Sequence, residues 1–119
     1  MSTETQSLWT VFVIDDDDDN RELTAMLLTS RGATVLTAGS FDEALGRLSE
    51  ATPNLVLCDL SLGSHSGEEV LAAFRARGCT ADVWAMTGHD TAPDGFRGLL
   101  RKPFGAEKLD ALVRQSGRS

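Results

Sequence analysis

The sequence lacks the features that mark several common protein classes. It has two cysteines in 119 residues, Cys58 and Cys79, and they lie far apart and outside any CxxC or Cys/His spacing. We therefore expect buried free thiols and neither a disulfide nor a zinc site. There is no run of about 18 apolar residues and no charged leader followed by an apolar segment, so no membrane span or secretory signal is predicted. We expect a cytoplasmic protein.

Basic residues are also scarce. The chain has 11 Lys and Arg against 18 Asp and Glu, a formal net charge of -7, and the run Asp15 to Asp19 supplies five of the acids. Nucleic acids and anionic membranes both need a basic footprint, so neither is expected as the main partner. The length predicts a single domain over residues 1–119, with a core from about 9 to 115.

What the chain does contain is an alternation of strand-like and helical segments. The strand-like runs lie at 11–14, 34–37, 55–58, 83–86 and 99–100. Between and after them, apolar residues recur at helical spacing, and we expect every such stripe to pack in the core, including Leu23, Met26 and Leu27 in the first helix. We also expect a loop at 61–67 and a capping box formed by Ser40 and Glu43. The alternation predicts an α/β fold with a parallel sheet covered on both faces.

The fourth crossover breaks this regularity. Only 14 residues separate Thr87, at the end of the fourth strand, from Lys102, after the fifth. A helix of about 11 to 12 residues with two connections does not fit there. Gly88, Pro93 and Gly95 also lie in this interval, and none favours a helix interior. We expect this helix to be short or absent.

Acidic residues follow two of the strands. Asp15 and Asp16 come directly after the first strand, and Asp59 ends the third. If these strands are neighbours in a parallel sheet, the three carboxylates converge and need a compensating cation, for which a hard divalent ion is suited. The segment 17–20, three aspartates and an asparagine, is interpreted as a solvated loop and helix cap.

Together with the hydroxyl of Thr87 and the ammonium of Lys102, these acids make the sequence similar to a known family. The chain resembles the response-regulator receiver domains of two-component signalling over nearly its whole length. The matching stretches, in the order of the family, are VFVIDDDDDNREL, NLVLCDLSLGSHSGEEVL, VWAMTG and GLLRKPF. The resemblance implies a flavodoxin-like, doubly wound sheet of five parallel strands in the order 2-1-3-4-5.

The resemblance also implies a metal site and a phosphoacceptor. Asp15, Asp16 and Asp59, with the backbone carbonyl of Ser61, would hold Mg²⁺, and Asp59 would receive a phosphoryl group. The implied activity is self-catalysed phosphorylation and dephosphorylation, which is not conventional enzyme turnover.

Two further residues and the partners are carried over in the same way. Thr87 and Lys102 would contact the phosphoryl oxygens, and the Lys102-Pro103 bond would be cis. The phosphoryl donor would be a sensor histidine kinase or a histidine phosphotransfer protein, and a downstream protein would be the target.

The chain departs from the family pattern where such domains signal. Three residues before the lysine, the family usually has an aromatic residue, and here Leu99 stands. Gly63 replaces a usual proline in the loop after the acceptor. With the shortened fourth crossover, these differences predict an intact acceptor site and an altered readout.

Two alternatives stay open. A pseudo-receiver, which binds partners without being phosphorylated, would share every core feature, and only a phosphorylation assay separates the two. A haloacid-dehalogenase-like phosphatase also begins with a strand and Asp-x-Asp, which Asp15 and Asp17 match. That fold needs an acidic pair after the lysine, whereas only the isolated Glu107 and Asp110 follow Lys102.

Overall fold

The computed structural model describes residues 9–115, which form a sheet flanked by helices. The strands are β1 Thr10–Ile14, β2 Thr34–Ala38, β3 Leu55–Asp59, β4 Ser61–Leu62, β5 His65–Ser66, β6 Asp82–Thr87 and β7 Gly98–Arg101, and the helices are α1 Asp18–Thr29, α2 Phe41–Leu48, α3 Gly67–Ala76 and α4 Ala106–Gln115. All five strands of the main sheet are parallel, in the order β2-β1-β3-β6-β7. Since β6 and β7 are the fourth and fifth strands of this sheet, the predicted 2-1-3-4-5 order is confirmed.

The sheet separates two hydrophobic cores. Successive side chains of a strand point to opposite faces, so Val11 and Val13 join one core while Phe12 and Ile14 join the other. The first core lies under α1 and α4, and the second lies under α2 and α3. Every residue of β3 is buried, as expected for a central parallel strand.

The inward face of α1 differs from the prediction. Leu23 and Met26 are 51% and 64% exposed, so their assignment to the core was wrong. Thr24 and Leu28 are the buried residues of this helix. They continue a spacing of four that begins at Asn20, whose side chain contacts Asp15. The contact of Asn20 with Asp15 therefore lies on the same face of α1 as the buried Thr24 and Leu28, and this face points to the sheet.

The crossover from β6 to β7 contains no helix, as the length argument predicted. Residues 88–97 form bends and a turn. The side chain of Phe96 packs against the core under α2 and α3, and the backbone N–H of Arg97 donates to the carbonyl of Val83. An ion pair of 2.6 Å between Arg101 and Asp90 ties the loop to β7. The loop therefore covers this part of the sheet in place of a helix.

Two local predictions need correction. The segment 61–67 is not simply a loop, because its residues pair as the antiparallel hairpin of β4 and β5. Ser40 caps α2 by accepting from the N–H of Glu43, but the reciprocal bond of a capping box is not formed. The Glu43 carboxylate accepts from the N–H of Gly39 instead, which closes the turn after β2.

Other expectations are confirmed. Cys58 and Cys79 are buried free thiols. Burial, together with the nearby charge of Asp59, raises the pKa of the Cys58 thiol, which keeps it protonated and unreactive. No helix formed within residues 9–115 has the length and apolar character needed to cross a membrane.

The contact between Gly98 and Trp84 generates a stability prediction. The two residues are paired across β6 and β7, and a Cβ added at Gly98 would lie 2.5 Å from a carbon of the indole ring. Gly98→Ala should therefore destabilise the fold by about 1 to 3 kcal/mol in denaturant unfolding. Gly46 in α2 is exposed with open space around it, and Gly46→Ala should stabilise by about 0.5 to 1 kcal/mol. Equal stability of Gly98→Ala and the wild type would contradict the close contact.

Candidate functional site

The carboxyl ends of β1 and β3 bring three acids together. Ile14 is paired with Cys58, so the residues that follow them, Asp15 and Asp59, are neighbours at the same end of the sheet. Carboxylate oxygens of Asp15, Asp16 and Asp59 all lie within 4.8 Å of one another. Asp15 and Asp59 are buried, whereas Asp16 is exposed. The structure thus assembles the predicted acid cluster with one side open to solvent.

Lys102 supplies the positive charge in this cluster. Its Nζ lies 3.0 Å from Oδ2 of Asp59 and 3.3 Å from Oδ2 of Asp15. The backbone N–H of Lys102 donates to the carbonyl of Thr87 at 2.7 Å, which anchors the residue at the end of β7. The Lys102-Pro103 peptide bond is cis, as the resemblance implied. One ammonium therefore bridges both buried carboxylates.

The remaining predicted residues lie around Asp59. Thr87 ends β6 beside β3 and is buried, and its hydroxyl oxygen accepts from the N–H of His89 at 3.2 Å. The N–H of Ser61 donates to Oδ1 of Asp59 at 3.0 Å. Asp59 is paired with Met86, so Thr87 comes one residue beyond Asp59 along the neighbouring strand, while Ser61 supplies a backbone donor to Asp59 directly.

Hydrogen bonding keeps Asp15 ionised. Burial by itself raises the pKa of this carboxyl, but four opposing contacts outweigh it. They are the hydrogen bonds from the backbone N–H of Asp17 and the side-chain amide of Asn20, the charge of Lys102, and a side-chain hydrogen bond with Asp59. The pKa of Asp15 therefore lies below its ordinary value.

The pKa of Asp59 shifts in the opposite direction, although this carboxylate contacts the same ammonium group of Lys102. Burial raises its pKa, and the charge of Asp15 adds to this effect, so the bonds from Ser61 and Lys102 offset the shift only in part. For Lys102, burial lowers the pKa, but pairing with Asp59 and Asp15 outweighs burial and raises it. The ammonium thus stays charged while the buried Asp59 carboxylate remains poorly compensated.

Two residues at the site, Asn20 and Arg21, were not predicted from the sequence. The interpretation of Asp17 as a helix cap holds, since its carboxylate accepts from the N–H of Asn20. However, the side chain of Asn20 turns inward to Asp15, and Arg21 binds the carbonyl oxygen of Asp15. The spacing of four from Asn20 through Thr24 was the available signal, and apolar periodicity alone does not detect it.

Comparison with known proteins agrees with this geometry. The family model described as response regulator receiver domain matches residues 11–114. The chain is 37% identical over 117 residues to the transcriptional regulatory protein FixJ of Azorhizobium caulinodans, covering 92% of this chain and 56% of that protein. It is 32% identical over 114 residues to an uncharacterized 14.6 kDa protein of Leptolyngbya boryana, covering 88% and 87% of the two chains.

A solved structure shows the same fold. The chemotaxis protein CheY4 of Vibrio cholerae superposes with a TM-score of 0.85 at 24% identity, covering 92% of this chain and 99% of that one. The chain spans about half of the length of FixJ and of other transcriptional regulators that it matches. Neither the family match nor these relatives support the phosphatase alternative.

The raised pKa of Asp59 predicts that removing the charge of this side chain stabilises the fold, by an amount that depends on pH. A carboxyl whose pKa is raised on folding costs stability above its ordinary pKa of 3.8, and this cost vanishes when both states are protonated at lower pH. Without divalent cations, Asp59→Asn should stabilise the fold at about pH 7 by on the order of 1 kcal/mol. The gain, measured by denaturant unfolding, should shrink as the pH falls toward 4.

Asp94 offers a matched control, because it is an exposed aspartate in the loop before β7. Asp94→Asn should change stability by less than about 0.5 kcal/mol at either pH. A loss of stability in Asp59→Asn at neutral pH would show that the ion pair with Lys102 outweighs the cost of burying the carboxylate.

Proposed function

Since this chain belongs to the response regulator receiver domain family, we propose that Asp59 accepts a phosphoryl group from a phosphohistidine and that the phosphorylated chain signals by docking to a partner protein. The observation that carries the proposal is the buried pair Asp15 and Asp59 bridged by Lys102, with Asp16 at the open side. A purely structural ion pair would not need a third carboxylate exposed to solvent beside it.

The donor set fits Mg²⁺. Three carboxylates with oxygens within 4.8 Å of one another form the hard, anionic ligand set that such an ion prefers. Asp15, Asp16 and Asp59, with the backbone carbonyl of Ser61, are the residues that would hold it. When bound, the ion would neutralise negative charge on the transferring phosphoryl oxygens.

Side chains of this protein carry out the phosphoryl transfer. An oxygen of Asp59 attacks phosphorus, the bond from phosphorus to the donor imidazole nitrogen breaks, and an acyl phosphate forms on Asp59. Lys102 moves its contact from the Asp59 carboxylate to a phosphoryl oxygen, a charge-assisted interaction. The hydroxyl of Thr87 donates to a second oxygen. Bringing these groups together in advance removes most of the positioning cost of the reaction.

The readout runs through the loop between β6 and β7. Thr87 accepts from the N–H of His89, so a movement of Thr87 toward the phosphoryl group acts directly on the first residues of this loop. Leu99 is half-buried, and leucine has neither an aromatic ring that could swing inward nor a hydroxyl that could anchor such a ring. Gly88 and Gly95 give the loop conformational freedom that phosphorylation removes. Ordering of a segment therefore takes the place of the movement of a regular helix.

The partners follow from the family and the charge. The donor is a sensor histidine kinase or a histidine phosphotransfer protein, and the target is a protein in the same cytoplasmic compartment. The exposed pair Leu23 and Met26 on α1, three and six residues after Asn20, offers an apolar contact for the donor on the helix that begins beside the acids. The net charge of -7 disfavours nucleic acid as a direct partner of this chain, whatever the longer relatives bind.

The direct test is chemical phosphorylation. Incubation with acetyl phosphate and Mg²⁺ should add one phosphoryl mass in intact mass spectrometry, and chelation of the metal should abolish the addition. Asp59→Asn should gain none, because its amide is not nucleophilic, whereas Asp94→Asn should be labelled like the wild type. Absence of labelling in the wild type would favour the pseudo-receiver alternative.

The readout has its own test in hydrogen exchange. Exchange across residues 88–98 should slow several-fold when Asp59 carries beryllofluoride, with smaller changes in α1 and α2, because the loop loses conformational freedom. Asp59→Asn treated in the same way should show no change. Unaltered exchange in this segment, with mass spectrometry still showing phosphorylation, would place the readout elsewhere.

A further inference from the structure

Arg21 occupies a position that the acid site depends on. Its guanidinium donates from Nη1 to the carbonyl oxygen of Asp15 at 2.7 Å. The N–H of Asp15 is already bonded to the carbonyl of Ala38 in β2. Arg21 therefore provides the contact that fixes the other side of the Asp15 backbone, at the point where the chain leaves the sheet.

The second nitrogen of the guanidinium reaches the start of α1. Nη2 of Arg21 lies 2.6 Å from Oδ1 of Asp18, and the Arg21 side chain is only 19% exposed. One planar group thus holds both ends of the turn from Asp15 to Asp18, and Asp16 lies within that turn. Arginine suits this role because its donors are fixed in a rigid fork, whereas lysine offers a single point charge.

The backbone at Gly39 is shaped to receive this group. A Cβ added at Gly39 would lie 2.8 Å from Nη1 of Arg21, so a side chain at this position would displace the guanidinium from its present place. Gly39 follows β2, and its N–H is held by the carboxylate of Glu43 in α2. The guanidinium therefore packs between two neighbouring strand ends, and its position is determined from three sides.

From this geometry we propose that Arg21 is a positioning residue for the metal-binding acids: it holds the Asp15 to Asp18 turn so that Asp15 and Asp16 face Asp59. The proposal rests on the proposed function, since it concerns the binding of Mg²⁺ by the same acids. Residues that orient metal ligands typically contribute about 10- to 100-fold to metal affinity.

Whether removal of Arg21 weakens or strengthens Mg²⁺ binding separates a positioning role from a purely electrostatic one. Arg21 is a cation close to the acids, so its removal would strengthen Mg²⁺ binding if charge were its only contribution. If it positions the ligands, its removal weakens binding although the repulsive charge is gone. Arg21→Ala should therefore bind Mg²⁺ about tenfold or more weakly in isothermal titration calorimetry, and Arg21→Lys should recover part of the loss.

Arg31, in the turn that follows α1, is a matched control. It forms an ion pair with Asp110 that ties this turn to α4, at the opposite end of α1 from the acids. Arg31→Ala should lower the melting temperature and leave the affinity for Mg²⁺ unchanged. A fall in both quantities in Arg31→Ala, equal to that in Arg21→Ala, would reduce Arg21 to a stabilising contact and overturn the proposal.

Gly39→Ala tests the same contact from the other partner and keeps the side chain of Arg21. The added methyl group displaces the guanidinium, so this variant should also bind Mg²⁺ more weakly. The double variant with Arg21→Ala should bind no more weakly than Arg21→Ala alone, since the two changes remove one interaction. Additive losses would overturn the proposal.

The outcomes distinguish the proposal from the function on which it rests. If the wild type binds Mg²⁺ and takes up phosphate while Arg21→Ala and Gly39→Ala bind Mg²⁺ like the wild type or more tightly, the positioning role is wrong and the proposed function stands. If the wild type shows no Mg²⁺ binding at millimolar concentration, both are overturned. Weaker binding in both variants, with Arg31→Ala unchanged, supports the proposal.

Discussion

The contact of one ammonium group with two buried carboxylates is the interaction on which the arrangement of strand ends depends. Lys102 follows β7, whereas Asp15 follows β1 and Asp59 ends β3, and β6 lies between β3 and β7. A buried carboxylate without a counter-charge costs several kcal/mol, so strands that carry such acids need the lysine at this place. The long side chain spans the intervening strand. The order of the sheet and the charge balance of the site are thus parts of one constraint.

The sequence predicted the features that follow from local pattern and chain length. Runs of β-branched residues located the strands, and the acids that end them were placed correctly because a strand end fixes where the next side chain lies. The missing helix before β7 followed from counting residues. The strand order came from the resemblance to receiver domains, because periodicity alone does not determine which strands are neighbours.

The features that the sequence did not reveal depend on how an element is rotated or packed. The inward face of α1 was misassigned because Leu23 and Met26 are more apolar than Thr24, whereas the face that points inward carries Asn20, Thr24 and Leu28. The contact of Arg21 with a backbone carbonyl depends on the rotation of the same helix. Likewise, nothing in the sequence marked Phe96 as the side chain that fills space beneath the missing helix.

The two cores on opposite faces of the sheet have a consequence for how this protein tolerates change. The side chain of Phe96 in the loop packs against the core under α2 and α3, while α1 and α4 share the other core. The ion pair of Asp110 in α4 with Arg31, in the turn after α1, joins these two helices. Substitutions on separate faces share few neighbours, so their effects on stability should largely add. The face of α1 and α4 is therefore a place where selection or design can alter thermal tolerance independently of how the loop packs.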